Sequence, residues 1–176
     1  MSFGRNIKFN KGIFMLTLDT ELAWGMVDKP LSLISNKEYF CNTRSAIDGM
    51  LELLEKYQIS ATWAIVGSLL LDKPNFEDEF IEDIVADSTK EVKNEYINLL
   101  KQEDIWCGKD ILQKIKSCLV PQEIGSHSFS NVIFRDVRVT KDIAVKEFRQ
   151  GKDILYQHGE EPISFIFPRN EINYLK

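Results

Sequence analysis

Four short apolar runs divide the chain, and the stretches between them carry helical spacing. IFMLTL at 13–18 has strand length and almost no alternation, as a parallel strand covered on both faces requires. From Thr43 to Tyr57, Ile47, Met50, Leu51 and Leu54 recur at helical intervals, and SATWAIVG, ended by Gly67, is again strand-like. Gly108 to Leu119 returns to helical spacing through Ile111, Leu112, Ile115, Cys118 and Leu119 until Pro121 breaks it, and QEIGSHS then supplies a strand. A helix from an N-capping Thr140 to Tyr156 places Ala144, Phe148, Gly151 and Leu155 on one side, before Gly159, Pro162 and the strand-like PISFIFPRN. Strands alternating with helices predict a parallel sheet with right-handed crossovers, either open or closed into a barrel.

One segment departs from the alternation. From Asp72 to Trp106 the chain is acidic and helical, and it reads as a solvated insertion at 72–107 within a single domain spanning 1–176. A length of 176 residues suits one such domain. The net charge of -5 argues against a nucleic-acid or anionic-membrane surface, so neither partner is expected. No apolar run reaches the roughly 18 to 20 residues of a membrane span, since ATWAIVGSLLL is short and contains Gly67 and Ser68. The basic start meets Asp19 too soon to be a leader peptide. Cys41, Cys107 and Cys118 are odd in number and lack a C-x-x-C pair, which fits reduced thiols in the cytoplasm, with Cys107 and Cys118 acting as small hydrophobes.

Parallel α/β architectures gather the residues just past their strand ends on one rim, where ligands bind. Asp19 and Glu21 in LTLDTELAWG follow the first run, His127 follows QEIGS, and Arg169 closes SFIFP. Two carboxylates, an imidazole and a guanidinium are therefore expected to converge. Asn131 lies four residues after His127, and a helical turn there would put both side chains on one face. With a carboxylate they would make an N/O ligand set for zinc or another divalent first-row ion, leaving the second acid to accept a proton from bound water. Trp24 reads either as a platform for a sugar ring or as a core residue, and Trp63, in mid-strand, as core. His158 belongs to the opposite rim and reads as a solvated helix-end residue.

LTLDTELAWG, ATWAIVG, EIGSHSFSN and SFIFPRN together resemble the polysaccharide deacetylases of carbohydrate esterase family 4, the NodB homology domain, from about Phe14 to Tyr174. The resemblance implies a partial, distorted (β/α) barrel and a metal-dependent hydrolase that removes acetyl groups from N- or O-acetylated carbohydrate. It makes Asp19 similar to the family's base, Glu21 and His127 similar to metal ligands, and Arg169 similar to the arginine that orients the base. It also implies a divalent metal, zinc first, and an acetylated carbohydrate partner.

Two departures temper this expectation. Position 131 holds Asn131 where the family's second metal histidine would fall, and a neutral amide oxygen is a weaker zinc ligand. The family's later motifs, including a histidine acting as general acid, are absent from the 176 residues. The domain is accordingly expected to be incomplete at its C-terminus, with the open sheet edge covered by a further portion of chain or by self-association. Two rivals stay open: a degenerate module that binds a glycan or protein partner without turnover, and an amidase for small non-sugar amides.

Overall fold

The computed structural model describes residues 10–172. Three strands, β1 (Thr17–Thr20), β2 (Thr62–Ile65) and β3 (Glu123–Ser126), form a parallel sheet in the order β1-β2-β3. Between β1 and β2 run α1 (Pro30–Ser35) and α2 (Lys37–Tyr57). Between β2 and β3 run α3 (Asp78–Val85), α4 (Lys90–Leu100), α5 (Glu103–Trp106) and α6 (Lys109–Ser117). A last helix, α7 (Lys141–Gln157), follows β3. The basic start within residues 1–9 and the end of the resemblance at Tyr174 lie outside the described residues.

Registered neighbours in a parallel sheet share a face. Leu18, Trp63 and Ile124 form one row, and all three belong to the main hydrophobic core under the helices. Asp19, Ala64 and Gly125 form the adjacent row on the other face. The sequential, one-directional order is an arc such as barrels contain, but among the described residues it does not close.

The fourth predicted strand is reduced to one bridge. Ser126 pairs with Phe165, its amide donating to Ser164 O at 3.0 Å and its carbonyl accepting from Ile166 N at 3.0 Å. Phe165 and Phe167 pack instead into an aromatic cluster with Phe134 and Phe148, centroids 4.4 to 6.2 Å apart. The first strand is also shorter than predicted. It starts at Thr17, and Ile13, Phe14 and Met15 are 56%, 87% and 73% exposed, so among the described residues no second layer covers the beginning of IFMLTL.

Local signals explain most helix ends. Thr140 and Thr89 cap α7 and α4, their hydroxyls accepting from Ile143 N and Val92 N. Gln58 ends α2 in the left-handed conformation, with Ile59 N returning to Leu54 O at 2.9 Å. The 72–107 segment is helical as predicted, but its solvated reading needs correction. Tyr96 and Trp106 are fully buried, the Tyr96 hydroxyl donates to Val27 O at 2.7 Å, and Trp106 Nε1 donates to Leu99 O at 2.8 Å. Charged residues cover the outside of these helices while their aromatic side closes the core.

Candidate functional site

β1 delivers Asp19 from within the strand, and Glu21 follows at its exit, where Leu22 takes a positive φ of 45° and the chain turns into a short 3-10 helix, Leu22–Met26. Gly25 makes room for Glu21: a β-carbon at position 25 would collide with the Glu21 carboxylate. His127 leaves β3 with its amide donating to Ile65 O at 2.9 Å and is completely buried. Its Nδ1 lies 3.0 Å from Ile166 O. A carbonyl only accepts, so Nδ1 carries the proton and, in the neutral ring, Nε2 presents a lone pair.

That nitrogen faces the acids. Nε2 is 3.5 Å from Glu21 Oε2 and 3.9 Å from Asp19 Oδ2, and among the described residues it has no hydrogen-bond partner. Asp19, Glu21 and His127 therefore meet at one rim. Asn131 joins them through its amide nitrogen, which donates to Glu21 Oε2 at 3.0 Å and to Trp24 O at 3.1 Å. Both partners are acceptors, which fixes the amide's orientation, and Oδ1 is left buried without a partner. The amide thus reaches Glu21 as a donor, on the same oxygen that faces His127.

The route by which Asn131 arrives corrects the expected helical turn. Residues 127–131 form a bend, with Ser128 and Asn131 at φ 63° and 61°. Glu147 of α7 holds it: Oε2 accepts from Phe129 N at 2.9 Å and Ser130 N at 2.8 Å, and Oε1 from Ser130 Oγ at 2.7 Å. Sequence reasoning missed Glu147, although a signal was present. It lies on the same side of α7 as Ala144, Gly151 and Leu155, and an acid on an apolar face asks for a buried partner.

Two predicted site residues take other partners. The Arg169 guanidinium pairs with Asp28 at 2.8 Å, on a residue with φ 54°. Trp24 is buried, donates its Nε1 to Trp106 O at 2.9 Å and stacks on Phe76 with centroids 5.1 Å apart, which is core packing. His158 is half-buried, with Nε2 3.2 Å from Leu70 O, rather than solvated. Two cavities border the cluster. One of about 690 Å³ opens beside Asn131, with Phe76, Phe80 and Phe129 among its walls. Another of about 380 Å³ opens beside Asp19 and Glu21, between β1 and α2.

No protein-family model matches the sequence, and no curated protein is significantly similar to it. A solved structure is similar: a wild-type CE4 family pseudoenzyme from Bacillus anthracis, 14% identical, with a TM-score of 0.51, over 94% of this chain and 38% of that one. The fold is distantly CE4-like. This chain spans well under half of that protein's length, and the likeness extends to architecture alone. Among the described residues no group of three His, Cys, Asp or Glu side chains is arranged to hold a metal ion, and no helix is long and apolar enough to cross a membrane. The residues present do not fit the zinc that the resemblance implies: its third position is occupied by an amide donating to a would-be ligand.

Proposed function

We propose that this chain is a binding module built on a deacetylase-like fold, with Asp19, Glu21 and His127 receiving a ligand and performing no turnover. One observation carries the reading: Asn131 donates to the Glu21 oxygen that faces His127, so Glu21 is already satisfied where a metal would need it. An amide that presents its N–H at that oxygen offers no lone pair with which to ligate a metal there. The CE4 neighbour is itself described as a pseudoenzyme, which accords with this choice. Metal analysis of the purified chain, followed by acetate release from acetylated chitooligosaccharides, tests it. Substoichiometric metal and no acetate are expected; stoichiometric zinc with turnover would overturn the reading.

A second reading is favoured by the orphaned His127 Nε2. Two ligands bound 2.0 to 2.1 Å from one tetrahedral ion lie about 3.3 Å apart, close to the 3.5 Å between Nε2 and Glu21. On this reading a divalent ion, zinc first, rests on His127 and Glu21 with Asn131 turned away. Asp19 then stands as base for deacetylation of an acetylated carbohydrate. The same two assays separate the readings.

A further inference from the structure

We infer that the Asp19–Glu21–His127 cluster and the cavity beside it form a binding site for a primary ammonium group carried on a hydrocarbon tail. The inference deepens the proposed function by naming the ligand's chemistry, and it rests on the cluster being free of bound metal.

The cluster is short of donors. Asp19 and Glu21 as carboxylates only accept, and His127, with Nδ1–H committed to Ile166 O, leaves its second nitrogen without a partner among the described residues. Asn131 supplies one N–H to Glu21, and Arg169, the cation expected here from the sequence, is engaged by Asp28. Two carboxylate oxygens from two residues thus lie 3.5 and 3.9 Å from the buried imidazole nitrogen, with no lysine or arginine paired to them among the described residues. A primary ammonium is a compact charge with three N–H donors. It can give one to each carboxylate, with the buried imidazole nitrogen behind them. A quaternary ammonium has no N–H to give.

The tail is set by the cavity. About 380 Å³ open beside the acids, walled by Phe40, Ile47, Met50 and Trp63, with Tyr39 at its exposed lip. Volume and lining match the usual small-ligand pocket, apolar walls with a few convergent polar groups. A hydrophilic sugar amine would leave these walls unsatisfied, whereas an alkyl or aralkyl chain fills them. Tyr39 and Phe40, edge to face at 5.9 Å, add ring surface beside the charge.

The test is calorimetric titration of the zinc-free full chain with n-hexylamine, 1-hexanol and glucosamine. Hexylamine is expected to bind at least tenfold more tightly than either comparator. Asp19→Asn, at a half-exposed position, should weaken hexylamine about tenfold or more without lowering the melting temperature. Ala46→Phe, placed on α2 at the cavity lip, should weaken it similarly by occlusion. Equal affinity for hexylamine and hexanol, or wild-type affinity in both variants, would overturn the inference. Should either variant unfold, hexylamine-induced movement of the His127 Nε2 resonance decides instead, and an unmoved resonance counts against the site. One equivalent of zinc retained on purification would instead overturn the metal-free reading, a separate result from zinc-free protein that ignores hexylamine.

Discussion

At the scale of single residues, Asn131 is decisive. Its amide holds Glu21 with one N–H and the Trp24 carbonyl with a second contact. Asn131→Asp should place a carboxylate against Glu21 and destabilise the fold by about 1 to 3 kcal/mol at neutral pH, measured by denaturant unfolding. Asn131→His should raise zinc affinity, by roughly tenfold or more as an imidazole replaces an amide; unchanged affinity would mean that position 131 does not face the ion. Glu147 has a comparable local role. Glu147→Ala leaves two backbone N–H groups unpaired at a cost of about 1 to 3 kcal/mol, and hydrogen exchange at Phe129 and Ser130 should accelerate. The residue types of the site were legible, because Asp19, Glu21 and His127 each follow a strand-like run. The sense of the Asn131 contact was not. Spacing reports which residues can meet, but whether an amide meets a carboxylate through oxygen or nitrogen depends on the left-handed turn at Ser128 and Asn131.

At the scale of elements, close approach of α7 to the exit of β3 builds the site's floor. Gly151 allows it, since a β-carbon there would lie 3.0 Å from the Ser128 carbonyl carbon and 3.1 Å from Ser126 Oγ. Gly151→Ala should therefore destabilise by about 1 to 3 kcal/mol despite alanine's better helix propensity, and thermal unfolding would register the loss. The α3–α5 region is tied down by Tyr96, whose phenol is pushed up from its ordinary range by burial. The folded chain then holds that proton more tightly than the unfolded chain. Its contribution is whole below about pH 10 and declines as pH rises beyond it. Tyr96→Phe should cost about 0.5 to 1.5 kcal/mol at neutral pH and flatten that alkaline decline. The apolar periodicity of α2, α6 and α7, with the Thr140 cap of α7, revealed those helices. The buried side of 72–107 stayed hidden because its acids and lysines dominate composition, while Tyr96, Leu99, Ile105 and Trp106 are spread over two helices and share no single period.

At the scale of the molecule, among the described residues, an open parallel arc carries a polar rim, a main core and a smaller aromatic cluster, and the arc's order follows the order of the apolar runs. Its incompleteness as a sheet was harder to read, because IFMLTL and SFIFP have strand composition without enough paired neighbours; most of the first and nearly all of the second remain outside the ladder. The central claim is that the rim gathers two acids and an imidazole around a donor-bearing ligand and not a resident zinc ion. Zinc titration of metal-stripped protein followed by thermal unfolding tests it most directly, because a ligand that binds only the native state raises its stability with concentration. The melting temperature is expected to stay unchanged across excess zinc in the wild type and to rise in Asn131→His. A wild-type melting temperature that climbs with zinc and falls back on chelation would contradict the claim.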